Sequence, residues 1–134
     1  MARVRLTTEE QQPWIVSGER TISDEERSKL RHGELTSSYR MREPGSATSP
    51  QLVELRYEPD AEIRLHSHGE DEIIYVADGA MRINNRTLGP GACLTIPGGV
   101  IYGFRAGPEG LRILNFRPRE DNSFNLPPNR QKAD

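Results

Sequence analysis

From Gln51 onward, turn signals recur at close intervals, and that punctuation limits what the chain can fold into more than any other feature. Glu58-Pro59-Asp60, Gly69, Asp78-Gly79, Asn84-Asn85, Gly89-Pro90-Gly91, Pro97-Gly98-Gly99 and Gly107-Pro108-Glu109-Gly110 leave only short runs between them. Those runs, at 52–57, 62–68, 72–77, 80–83, 86–88, 92–96, 100–105 and 111–117, read as consecutive β-strands. About eight short strands with no helix between them predict an all-β sandwich or closed barrel rather than an α/β fold.

The flanks read differently. Residues 1–44 form a polar N-terminal arm with a short helix, started by the capping-box pattern Ser23-Asp24-Glu25-Glu26, and a candidate first strand at 35–41. Trp14 and its apolar neighbours are expected to anchor this arm to the barrel or to a second subunit, and they point to a homodimer. Residues 45–118 hold the strand runs, and 119–134 are a C-terminal surface extension that either lies on the domain or frays. A chain of 134 residues leaves room for one core and none for a large cofactor domain. Its net charge of -2 lacks the basic excess of a nucleic-acid binder, and there is no long apolar run for a membrane. The expected setting is the cytoplasm, and the expected partner is a small-molecule substrate or ligand. A single cysteine, Cys93, excludes an intrachain disulfide and a Cys-rich zinc site; it is expected to be a small core residue.

Any metal must therefore be held by histidine and carboxylate. Two of the three histidines form His66-Ser67-His68 at a strand end, where positions two apart face the same way. Glu72, across a short turn, can bring a carboxylate to the same place. Two imidazoles and one carboxylate suit a divalent first-row ion and leave coordination positions open. The plainer alternative is a pair of ordinary strand histidines. Strand alternation also nominates pocket walls: Glu62 and Arg64 with His66, Ile74 and Val76 with Glu72, and Phe104 with Tyr102. Arg64 could hold an anionic group of a substrate, or it could form a salt bridge with Glu62 or sit on an exposed rim.

The stretch His66-x-His68-x3-Glu72-x6-Gly79, followed by Gly91-x5-Pro97-x-Gly99, resembles the two motifs of the cupin superfamily. The resemblance implies a small jelly-roll β-barrel with a metal inside it, held by His66, His68 and Glu72. The first-motif glycine of the family falls at Asp60, the fourth metal ligand, a histidine, falls at Tyr102, and the closing Asn falls at Ala106. Tyr102 could be a phenolate ligand, an unligated phenol that meets substrate or acts as acid/base, or a packing residue. The fold hosts many activities. A metal-dependent enzyme with one divalent transition metal ion is expected, first of all a dioxygenase-type oxidoreductase with Fe(II), and as its alternative an isomerase or lyase with Zn, Mn or Ni. The other alternative is a non-catalytic ligand-binding cupin.

Overall fold

The structure is a computed structural model and describes residues 3–128. The alternating pattern of the second half of the chain becomes an antiparallel sheet wrapped round one core. Eight strands occur among the described residues: β1 (Ile15–Val16), β2 (Ser38–Glu43), β3 (Gln51–Tyr57), β4 (Glu62–His66), β5 (Glu72–Ile83), β6 (Arg86–Leu88), β7 (Cys93–Ile96) and β8 (Tyr102–Arg117). They hydrogen-bond in the order β1-β2-β3-β8-β5-β6, with β4 added to β8 and β7 to β5. Two short helices, α1 (Asp24–Ser28) and α2 (His32–Thr36), precede β2. The Ser23 side chain accepts a hydrogen bond from the Glu26 amide at 3.1 Å and starts α1, as the capping pattern predicts. Among the described residues no helix is long and apolar enough to cross a membrane.

β8 organises the rest. Its second half pairs with β3, from Gln51↔Arg117 to Tyr57↔Leu111, while its first half pairs with β4 at Glu62↔Arg105 and His66↔Tyr102. β5 runs along both halves, from Ile73↔Phe116 to Arg82↔Arg105. One strand thus passes between the two halves of the jelly roll. Side chains on the inner face close the core: Ile74, Val76 and Met81 of β5, and Phe104, Ala106, Leu111 and Ile113 of β8.

Four local expectations change. Asp78-Gly79 and 107–110 are not hairpins: β5 and β8 pair with each other, so their surplus residues are absorbed as register shifts within two long strands. The candidate strand at 35–41 becomes β2 and starts at Ser38, because Leu35 and Thr36 belong to α2, whose N-terminus Glu34 caps by accepting from the Arg31 amide at 2.9 Å. Cys93 is exposed rather than in the core, since alternation along β7 turns Leu94 and Ile96 inward and Cys93 outward. Asn84-Asn85 does make a tight hairpin, with φ of 48° and 64° joining Ile83 to Arg86.

The N-terminal arm lies against the outer face of the sheet. Trp14 meets the guanidinium groups of both Arg40 and Arg56, at 4.2 and 4.3 Å from its ring centroid. Arg40 is fixed in turn by buried Glu54 at 2.7 Å, which also takes Arg112 at 2.9 Å.

Candidate metal centre

β4 ends at His66, the chain turns at Gly69, and β5 begins at Glu72, so the three nominated donors meet at one end of the barrel. All three are buried, Glu72 to 1% and His66 to 3% exposure. The imidazole centroids of His66 and His68 lie 4.8 Å apart, and His68 Nε2 is 3.9 Å from Glu72 Oε1. Each Nδ1 faces a backbone carbonyl, that of Arg64 at 2.7 Å for His66 and that of Ser123 for His68. A carbonyl only accepts, so Nδ1 carries the proton in both rings. Burial holds His66 below the usual histidine range, which keeps it neutral with its Nε2 lone pair free.

Glu72 is asymmetric. Its Oε2 accepts from Asn115 Nδ2 at 2.7 Å and lies 3.4 Å from Arg117 Nη2, whereas its buried Oε1 has no hydrogen-bond partner. A buried, unpartnered carboxylate oxygen is costly and calls for an explanation. Two free imidazole nitrogens and a free carboxylate oxygen fit a divalent ion in the kind of donor and in which lone pairs are available. Among the described residues no three His, Cys, Asp or Glu side chains are already gathered tightly enough to cage one.

Tyr102 sits directly across from His66 in the β4–β8 ladder, its ring centroid 4.5 Å from the imidazole. Burial and then the charge of Glu72 push its phenol far above the usual tyrosine range, so the hydroxyl keeps its proton. Glu62 is exposed and turned away from His66, whereas Arg64 is half-buried with its guanidinium 5.8 Å from the Phe124 ring that stacks on His66. The register shifts between Ile63 and His66, so those two residues both turn inward and the simple alternation is lost. Arg64 lies 3.2 Å from buried Glu34 of α2, and exposed Glu62 takes Arg105 at 2.8 Å. Ile74 and Val76 share the buried face of Glu72, and Phe104 that of Tyr102, as alternation predicts.

No family model matches the chain, and no curated protein matches it. Solved structures do. The polyketide cyclase RemF from Streptomyces resistomycificus is 27% identical over 69% of this chain and 72% of its own, with a TM-score of 0.59. KdgF from Halomonas sp. is 20% identical over 87% of this chain and 96% of its own, with a TM-score of 0.63. A cupin-2 domain from Rhodospirillum rubrum, Rru_A2000, is 16% identical over 96% of this chain and 84% of its own, with a TM-score of 0.66. The chain has the cupin fold. Since RemF is a polyketide cyclase, this fold carries small-molecule enzymes.

Within this fold, Asp60 stands at the position of the cupin motif's glycine with φ of 61°, so an aspartate supplies the left-handed turn after Pro59. Several residues of the site escape a sequence reading. Arg117 is buried inside the barrel, 3.4 Å from Glu72 Oε2. The residues after it come back over the site: Ser67 and Asn125 exchange backbone hydrogen bonds at 2.9 and 2.8 Å, and Phe124 stacks on His66 at 4.5 Å. The extension that the sequence places on the surface therefore covers the histidines up to residue 125; its end, 129–134, lies outside the described residues. His32 is exposed at the start of α2.

Proposed function

We propose that this cupin is a metal-dependent enzyme acting on a small oxygen-bearing organic molecule, with His66, His68 and Glu72 holding one divalent transition metal ion. The observation that carries this is the carboxylate of Glu72: one oxygen is tied down by Asn115 and Arg117, and the other is buried, unpartnered and turned toward His68 Nε2. A bound divalent ion supplies a Lewis acid to a substrate oxygen. The protonated Tyr102 hydroxyl beside Glu72 donates a hydrogen bond to the oxygen on which charge develops. Phe104, Tyr57 and Phe124 give this end of the barrel aromatic walls that favour a flat or conjugated substrate.

A neutral hydrogen-bond donor beside a carbonyl-polarising site favours non-redox chemistry, that of a lyase, isomerase or cyclase, and the likeness to a polyketide cyclase supports it. The dioxygenase reading with Fe(II) rests on one specific observation, the two-histidine, one-carboxylate donor set. Metal analysis of the purified protein tests the shared core of both: about one equivalent of a transition metal is expected, lost in His66→Ala, His68→Ala and Glu72→Ala. No uptake of iron, zinc, manganese, nickel or cobalt, with a melting temperature unchanged by chelator, would overturn it. A β-dicarbonyl probe then separates the chemistries: exchange of its α-hydrogen with deuterated solvent supports the first, and stoichiometric dioxygen uptake the second.

A further inference from the structure

Arg117 lies at the centre of two hydrogen-bond routes that end on different donors of the candidate metal centre. The first runs inward. Arg117 Nε donates to Asn115 Oδ1 at 3.2 Å, Asn115 Nδ2 donates to Glu72 Oε2 at 2.7 Å, and Arg117 Nη2 lies 3.4 Å from the same oxygen. The Asn115 amide is thereby locked in one orientation, because its oxygen must face the guanidinium and its NH2 the carboxylate. The second route runs outward. Arg117 Nη1 donates to the Asp121 carbonyl, and the Asp121 carboxylate accepts from the amides of Glu70 at 2.8 Å and Ser123 at 2.9 Å. Ser123 then receives the Gly69 amide on Oγ at 2.8 Å and the His68 Nδ1 proton on its carbonyl.

We infer that Arg117 is a positioning residue that orients Glu72 through Asn115 and His68 through the 121–123 turn, so that one buried guanidinium sets two of the three metal donors. The inference rests on the metal assignment above. It explains why a full positive charge is buried next to a proposed cation site, where charge alone would disfavour it. The guanidinium supplies donors in several directions at once, which a lysine cannot match. It also gives the C-terminal extension a role in the site, since a backbone carbonyl of that segment selects the tautomer of His68.

The sign of the effect separates positioning from electrostatics. Removing a nearby positive charge should tighten binding of a dication if charge acts alone; removing a positioning residue should weaken it. Cobalt(II) affinity, measured against a competing chelator, and the visible absorption of bound cobalt would be recorded for the wild type, Glu72→Ala, Asn115→Ala, Asp121→Ala, Arg117→Ala and Arg117→Lys. Arg117→Ala and Asn115→Ala are expected to weaken binding about 10- to 100-fold and to shift the spectrum, with Arg117→Lys between them and the wild type. Asp121→Ala should weaken binding by its own route through His68, and its effect should add to that of Asn115→Ala, which acts on Glu72.

Binding by Arg117→Ala as tight as or tighter than that of the wild type, with an unchanged spectrum, would overturn the inference. If Arg117→Ala fails to fold, Arg117→Lys and Asn115→Ala decide in the same way. A wild type that binds no cobalt at all would instead overturn the metal assignment itself. A wild type that binds, a Glu72→Ala that does not, and Asn115 and Arg117 variants that match the wild type would overturn the positioning role alone.

Discussion

Replacing Gly79 with alanine tests why the first motif ends on glycine. Gly79 has φ of 74°, and a Cβ built on it would meet the Gly110 carbonyl oxygen at 2.1 Å, about 0.9 Å inside the 3.0 Å that real Cβ atoms respect. The left-handed conformation costs an alanine roughly 1–2 kcal/mol. Relieving the clash means prising β5 from β8 at Gly79↔Leu111, with loss of one or two ladder hydrogen bonds at about 1 kcal/mol each. The sum is about 2–4 kcal/mol, or on the order of 10–15 °C of melting temperature for a domain of this size. Two other glycines divide the cost. Gly91 has φ of 96° with nothing within 4 Å of a built Cβ, so Gly91→Ala should lose only the conformational part, about 1–2 kcal/mol. Gly89 has neither feature, and Gly89→Ala should be neutral or slightly stabilising. Urea unfolding of the three variants followed by circular dichroism gives the comparison directly. A Gly79→Ala protein no less stable than Gly91→Ala would refute the claim that strand approach, rather than φ alone, requires glycine at position 79.

Other expectations follow from the arm and from the buried phenols. Trp14 is the sole tryptophan, so Trp14→Leu should cost about 1–3 kcal/mol through loss of its two guanidinium contacts, and Arg40→Gln should shift the wild-type emission spectrum; unchanged emission would refute the Arg40 contact. Burial, reinforced by the charge of Glu72, raises the phenols of Tyr57 and Tyr102 well above the usual tyrosine value of about 10. Above that pH the unfolded chain releases protons that the folded chain retains, so stability is intact below about pH 10 and falls as pH rises further, by up to about 1.4 kcal/mol per pH unit for each phenol. Urea midpoints at about pH 8 and about pH 11 should diverge less in Tyr57→Phe and Tyr102→Phe than in the wild type, and an equal divergence would refute the assignment.

Much of the site is legible in the sequence because it is local. His66, His68 and Glu72 lie within seven consecutive residues, and the turn that joins them is set by short-range chemistry. What local pattern cannot show is where a strand slips against its partner. The shift between Ile63 and His66 arises from pairing with β8, some forty residues away, and it leaves Arg64 paired with Glu34 of α2, a placement that alternation alone does not give. In the same way, Asp78-Gly79 and 107–110 carry strong turn chemistry, yet β5 and β8 pair through them because their apolar faces are complementary over a longer range. Asn115 and Arg117 did leave a signal: they continue the inward parity of Leu111 and Ile113, so a polar pair stands where an apolar one is expected. Phe124 and Ser123 left none, since a segment that returns to the barrel by hydrogen bonds of its own backbone needs no particular side-chain pattern.

The central place of β8 also bears on how the chain is made. β3, β4 and β5 all precede β8, and each relies on it for a main pairing. During synthesis, β2–β3 and β5–β7 can form as local pairs once they emerge from the ribosome, but their other edges stay open until residues 102–117 arrive. A nascent chain stalled before that point would present unsatisfied strand edges to the cell. Slow translation upstream of Tyr102, or loss of a chaperone that shields such edges, should therefore lower the yield of soluble protein without altering a single contact of the finished barrel.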